Sequence, residues 1–343
     1  MDGDVSRAPI AMSAGLALLI GDIGGAARGT LDLGDEDACA LFAAILAGRI
    51  PAVERDAVLG ALPIKGASLG AMRGAMRALD DHVGRLDASA DWPRPVVLPT
   101  CGGTRRHPNL TALLALLLKR YGVPVLLHGP GRSEVDGTGD AARAAGAEPA
   151  AGAARFGRVT TLEILLELGI EPATGLADAQ ARLVQNQIVY VPFAVLAPGL
   201  APLRHDRAPP GARAFAGSLA KLIDPFGGDG YRVVSATDPE NLRRTRAFLA
   251  ATHADALLLR GTEGEPFANP RRPPEFETFV KGNGSVFAEK ESECDRAPPA
   301  MGDAPATAAW IAQALAGEMP VPAPIIAELA CCLEGARRAI MLA

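Results

Sequence analysis

Val96-Val97-Leu98-Pro99-Thr100-Cys101-Gly102-Gly103 opens the stretch that decides the fold. Three apolar residues run into a proline, a threonine and two glycines. Positions 110–119 follow with an apolar helical pattern, and Val123-Pro124-Val125-Leu126-Leu127 then ends at His128-Gly129. Short, wholly apolar runs suit strands buried on both faces, and parallel neighbours of this kind are joined by a helix. The reading is strand, glycine loop, helix, strand. Further strands are expected at 188–191, 231–234 and 256–259, with helices at 160–169 and 176–187. The expected fold class is α/β, with a central sheet flanked by helices.

Upstream the texture is helical, from about residue 10 to 88. Asp35-Glu36-Asp37 places acids where a helix N-terminus favours them, and Cys39, Phe42, Ile45 and Leu46 follow at helical spacing up to Gly48. Pro51 starts a second helix with Val53, Ala57, Val58 and Leu62 on one face, and positions 69–79 form a third. Asp91-Trp92-Pro93-Arg94-Pro95 is a stiff connection. A small helical domain is expected over 1–90, joined in space by helices from about 160–187, with a large α/β domain over 91–343. Gly129, Gly131, Gly137 and Gly139 mark a long loop, and 282–304 and 317–324 read as loops.

The 343 residues are 49% hydrophobic and only 4% aromatic, so the core must be built from Ala, Leu, Val and Ile. Cys39, Cys101, Cys294, Cys331 and Cys332 are an odd number at no metal-ligand spacing, which suits free thiols in a reducing cytoplasm. The apolar run at 10–20 is too short to span a bilayer, and Asp2 and Asp4 deny it the basic start of a signal peptide. A cytoplasmic protein with no membrane partner is expected. The net charge of −5 argues, as a sum, against a nucleic-acid partner. Its distribution can outweigh the sum.

Leu33-Gly34-Asp35-Glu36-Asp37-Ala38, Ile45-Leu46-Ala47-Gly48 and Leu62-Pro63-Ile64-Lys65-Gly66 resemble the helical N-terminal domain of glycosyltransferase family 3. That family includes anthranilate phosphoribosyltransferase and the pyrimidine nucleoside phosphorylases. Its strand, Gly-Thr-Gly-Gly-Asp loop, helix-opening Asn, second strand and Lys-His-Gly look like Thr100, Cys101, Gly102, Gly103, Asn109, His128 and Gly129. A loop of this kind cradles phosphate because bare N–H groups approach it beside a helix end. Four departures matter. Cys101 replaces a glycine, Gly103 an aspartate, Leu127 a lysine, and Pro130-Gly131 an Asn-Arg pair for which Arg132 partly substitutes. Gly211-Ala212-Arg213 and onward to Asp224-Pro225 resembles a third family motif, with Gly217 for Asn and Lys221 for Pro. Arg207 falls where the family's enzymes contact the anthranilate carboxylate. Pro266-Phe267 stands where the resemblance puts a magnesium-binding Asp-Glu, and neither can ligate that ion. The loop is thus expected to be vestigial, with no catalytic residue, metal or cofactor.

The string Gly-Thr-Glu-Gly-Glu-Pro-Phe-Ala-Asn-Pro-Arg-Arg-Pro at 261–273 resembles the YbiB-type DNA-binding branch, which keeps the transferase fold. Arg213, Leu219-Ala220-Lys221-Leu222 and Ala330-Cys331-Cys332-Leu333 fit the same branch. The resemblance implies a homodimer that binds nucleic acid, single-stranded or duplex DNA, through its phosphates and without sequence preference. The candidate contacts are Arg105, Arg106, His107, Arg132, Arg204, Arg207, Arg213, Lys221, Arg260, Arg271 and Arg272; each arginine has solubilisation as its alternative role. Phe267 and Phe276 are either stacking platforms or core. His128 is a hydrogen-bonded structural histidine or a base, and Cys101 an ordinary or an activated thiol. Glu263 and Glu265 are solvated loop acids or magnesium ligands through water. The function expected is non-catalytic DNA binding; the alternatives are a phosphoribosyltransferase with an altered diphosphate site, or a small-ligand sensor.

Overall fold

The computed structural model describes residues 33–61, 68–132, 157–204, 210–289 and 302–337. The expected helix at 10–20, the glycines 137 and 139, Cys294 and Arg207 lie outside them. In chain order the elements are α1 (Asp35–Leu46), α2 (Ala52–Ala61), α3 (Leu69–Asp80), β1 (Val96–Pro99), α4 (Thr111–Arg120), β2 (Val125–Gly129), α5 (Thr161–Glu167), α6 (Leu176–Asn186), β3 (Ile188–Pro192), α7 (Phe193–Leu196), α8 (Ala201–Arg204), α9 (Pro210–Ala220), β4 (Tyr231–Ala236), α10 (Pro239–Ala251), β5 (Ala256–Arg260), β6 (Phe276–Val280), β7 (Asn283–Ala288), α11 (Ala304–Ala316) and α12 (Ala323–Gly335).

Two compact units divide the chain: Met1–His82 with Gly199–Leu219, and Val83–Pro198 with Ala220–Ala343. Residues 160–187, expected beside the small helical domain, fall in the larger unit, and 199–219 fall in the smaller one. In the smaller unit α1 and α3 pack so closely that a Cβ on Gly74 would stand 2.2 Å from the Asp35 carbonyl oxygen. Glycine is required there by the helix crossing itself. Arg73 and Arg77 of α3 pair with Asp35 and Glu36 of α1. The Phe42 ring packs on Phe215 of α9 with centroids 4.9 Å apart.

The larger unit is built on a seven-stranded sheet of order β3-β2-β1-β4-β5-β6-β7. From β3 to β5 neighbouring strands run parallel, and β6 and β7 add an antiparallel hairpin at one edge. Strand residues alternate between faces. Val96, Leu98, Val125, Leu127, Tyr190, Val233, Leu257 and Leu259 join a core with α4, α5, α11 and α12. Helix starts are capped as side-chain chemistry dictates: Thr160 and Glu163 close a capping box on α5, and Asp238 and Asp303 cap α10 and α11 ahead of early prolines.

The loop expected at 282–304 begins with a strand, β7. Asn283-Gly284-Ser285-Val286-Phe287-Ala288 has little strand character, and all six residues are exposed or half-buried. Its geometry comes from the turn. Lys281 and Gly282 adopt positive φ of 48° and 79°, the two-residue hairpin that matches strand twist, and Val280 then pairs with Asn283.

Candidate functional site

The sheet reverses its winding between β1 and β4, and open α/β sheets bind ligands beyond the carboxyl ends of their strands at such a point. The loop after β1 carries Thr100 to Asn109, and the loop after β5 carries Gly261 to Pro273. Both belong to the larger unit.

A carboxylate occupies the glycine loop. The backbone N–H groups of Cys101, Gly102 and Gly103 all donate to Oε1 of Glu265, at 2.9, 2.9 and 2.7 Å. Successive amides converging on one oxygen make the concavity that receives an anion in phosphate loops. Glu265 is fully buried. Its second oxygen accepts from the Thr161 hydroxyl at 3.4 Å, and the buried Asn109 amide donates to the Thr161 hydroxyl and to the Val159 carbonyl. The loop is shaped for this occupant. Gly103 has φ +82°, and a Cβ there would meet the Val159 carbonyl oxygen at 2.4 Å. On the other side of the same peptides, Arg158 donates to the carbonyls of Gly102 and Gly103. A cation thus binds the carbonyl ends while a carboxylate binds the amide ends.

Glu263 does the same for the rest of the loop. Oε2 accepts the Arg105 N–H at 2.8 Å, and Oε1 accepts those of Arg106 and His107 at 2.8 and 3.1 Å. The His107 Nδ1 lies 3.0 Å from Oε1. Burial pushes the Glu263 carboxyl up, but the Arg105 amide, the His107 ring and the Arg106 amide outweigh it and hold its pKa below the ordinary carboxylate value. Glu263 and Gly264 have positive φ of 53° and 95°, a left-handed turn from which both glutamates reach the loop. Ser235 of β4 donates its hydroxyl to the Gly264 carbonyl, and Thr262 closes the turn onto Phe267. These are not solvated loop acids. The expectation fails because the carboxylates find backbone amides instead of water.

The arginines take different places. Arg105 and Arg106 are exposed, as are Arg271 and Arg272, and among the described residues none of the four side chains forms an ion pair or hydrogen bond. Asn269 links the two pairs: its Oδ1 accepts the N–H groups of Arg271 and Arg272 at 2.9 and 3.2 Å, and its Nδ2 faces His107 Nε2 at 3.4 Å. Lys221 donates to the Ser235 carbonyl, with its ammonium 3.9 Å from where a Gly264 Cβ would stand. Arg260 donates to the Thr237 carbonyl and is exposed. Arg132 is paired with Glu171. Arg204 and Arg213 belong to the smaller unit, where the Arg204 guanidinium lies beside Gly217.

Over 317 residues the chain is 34% identical to the uncharacterised protein YbiB of Escherichia coli K12, an alignment covering 92% of each. The chain belongs to the YbiB family. No family model matches it. A shorter segment of 111 residues, 31% of each chain, is 36% identical to the anthranilate phosphoribosyltransferase of Rhodopirellula baltica. Among solved structures, the anthranilate phosphoribosyltransferase of Thermus thermophilus superposes with a TM-score of 0.63 at 18% identity, over 92% of this chain and 87% of its own. The Saccharomyces cerevisiae enzyme in complex with PRPP and Mg gives 0.62 at 12%, over 94% and 90%. The scaffold is that of anthranilate phosphoribosyltransferase.

On this scaffold several residues of the YbiB-family chain whose roles the sequence left open take definite places. Phe267 and Phe276 are 0% and 1% exposed and belong to the core, so neither offers a face to a base. His128 is buried edge-on against Phe193, with ring centroids 5.5 Å apart. Gly129 is fixed by close approach: a Cβ would stand 1.9 Å from the Thr100 hydroxyl and 2.5 Å from that of Tyr190. Among the described residues Cys39, Cys101, Cys331 and Cys332 form no disulfide. Among the described residues no cluster of three metal-ligating side chains occurs, and no helix is long and apolar enough to cross a membrane. Sequence reasoning missed Arg158, Asn269 and Glu328. The Glu328 carboxyl is fully buried, accepts the Ala268 N–H at 2.7 Å, and is pushed up to about 8 by burial. Only the unusual string at 261–273 signalled that this loop mattered.

Proposed function

We propose that this YbiB-family chain is a non-catalytic protein that holds nucleic acid, DNA in the first instance, by its phosphates and without reading bases. One observation carries the reading. The amides that a diphosphate would need are bonded to Glu265 and Glu263, while Arg105, Arg106, Arg271 and Arg272 project from the same two loops without acidic partners among the described residues. An internal carboxylate in the loop opposes phosphoribosyl transfer twice: it fills the anion position, and it adds negative charge where a departing diphosphate needs positive. The outward guanidinium groups supply the point contacts that bind a phosphate backbone irrespective of sequence. With Phe267 and Phe276 in the core, base stacking adds nothing from these two residues. A homodimer would present the rim twice and raise avidity through effective concentration.

The alternative is a phosphoribosyltransferase with an altered diphosphate site, favoured by the retained Thr100, Gly102, Asn109 and His128-Gly129. Fluorescence anisotropy of a labelled single strand separates the two. The proposal expects saturable binding at low salt that weakens steeply with added salt and is equal for unrelated sequences. Absence of binding at low salt would remove it.

A further inference from the structure

The His107 ring lies between the two arginine-bearing loops. Its Nδ1 stands 3.0 Å from Glu263 Oε1, and its Nε2 stands 3.4 Å from Asn269 Nδ2. The orientation of the Asn269 amide is fixed by its other end, because Oδ1 accepts the N–H groups of both Arg271 and Arg272. The amide NH2 therefore faces the histidine, and Nε2 must offer it a lone pair. That requires a neutral ring whose one proton sits on Nδ1 and is donated to Glu263.

We propose that His107 is a proton-operated latch on the arginine rim: neutral, it ties the Arg105–Arg106 loop to the Arg271–Arg272 turn, and protonated at Nε2 it releases that turn. A second N–H on the ring would point at the Asn269 NH2, donor against donor. Two ways out exist. The amide can rotate by half a turn, which takes its oxygen away from the Arg271 and Arg272 amides, or the loops can part. The first takes the side-chain acceptor from Arg271 and leaves Arg272 the Asn269 backbone carbonyl at 3.2 Å, and the second separates the two arginine pairs; both loosen the turn that displays the second pair. The charged groups around the ring pull in opposite directions: Glu263 favours the imidazolium, while Arg105 and Arg106 beside it in sequence and Arg271 and Arg272 beyond Asn269 disfavour it. Ring protonation thus changes the spacing of the guanidinium groups and makes it a function of pH. The consequence for binding rests on the phosphate-holding reading; the latch itself does not.

The test is nitrogen-15 NMR of the full chain without nucleic acid, following the His107 ring and the Arg271 and Arg272 amides through a pH titration. At neutral pH Nε2 should show the shift of an unprotonated ring nitrogen. The two arginine amide protons should then move upfield with the His107 midpoint. In Asn269→Asp the carboxylate accepts from both arginine amides and from the imidazolium. It should raise the His107 midpoint by about one unit or more and leave the arginine signals in place. A proton on Nε2 at neutral pH, arginine amides indifferent to the His107 midpoint, or an unchanged midpoint in Asn269→Asp would each overturn the latch. Failure here leaves DNA binding untouched, and failure to bind DNA leaves these spectra unexplained by anything but the latch.

Discussion

Oε1 of Glu265 lies 2.7 Å from the backbone nitrogen of Gly103, although 162 positions separate the two residues in sequence from Gly103 to Glu265. This bond closes a phosphate-type loop with the protein's own anion. Removing that anion should leave three donors without their acceptor, that of Gly103 buried and those of Cys101 and Gly102 half-buried. Glu265→Ala is expected to lose on the order of 3 kcal/mol of stability, read from the midpoint of urea unfolding. Because the concavity persists, millimolar phosphate, sulfate or acetate should restore part of the loss in the variant and have little effect on the native chain. A variant as stable as the native protein, with no response to anions, would show that the carboxylate is not held as described.

The arginine rim makes a quantitative prediction for binding. Replacing Arg271 and Arg272 by Ala should weaken binding of every single strand by the same factor. The log–log salt slope should fall by about 1.4, at ~0.7 for each phosphate no longer neutralised. Arg105→Ala with Arg106→Ala should behave alike. Arg132→Ala should have a smaller effect, since its guanidinium is already paired with Glu171. Sequence-dependent losses would point to base readout instead.

Buried Glu328 makes stability depend on pH at the alkaline end. Its carboxyl titrates near 8 in the fold and near 4.5 when unfolded, so between these values the folded state binds more protons. Stability is therefore highest at the acidic side of that window and falls as pH rises towards 8. Glu328→Gln keeps an acceptor for the Ala268 N–H and removes the titration. It should flatten this decline and gain on the order of 2 kcal/mol at pH 8, measured by chemical denaturation across the range. An unchanged difference between variant and native chain from pH 5 to 8 would exclude the buried acid as its source.

Glu263 works in the opposite sense. Its folded pKa lies below the ordinary carboxylate value of 4.5, so its contribution is present above that value and is lost as pH falls through the depressed folded pKa. Glu263→Gln should lose this acid-side slope while behaving like the native chain in the alkaline limb. A native-like acid limb in the variant would assign the slope to other carboxylates.

The sheet was legible where strands are buried on both faces, because such strands must be continuous apolar runs. Val96-Val97-Leu98, Val125-Leu126-Leu127 and Ala256-Leu257-Leu258-Leu259 state their own structure. β7 was not legible, since an exposed strand set by a Lys281-Gly282 turn needs no apolar pattern. The candidate site was half legible. Glycines at 102 and 103 announce a loop able to receive an anion, and the arginine pairs announce charge. What fills the loop depends on a tertiary contact between segments joined only by the order of the strands, for which no spacing rule exists. Glu263 and Glu265 therefore read as exposed acids until the sheet brings β1 and β5 to either side of β4.

Titration calorimetry of the native chain with phosphoribosyl diphosphate and magnesium puts the account at greatest risk. With Glu265 seated on the amides of Cys101, Gly102 and Gly103, no saturable heat should appear at millimolar ligand. A one-to-one isotherm in the micromolar range would mean that the sugar diphosphate displaces the carboxylate, and would contradict a sealed, non-catalytic loop.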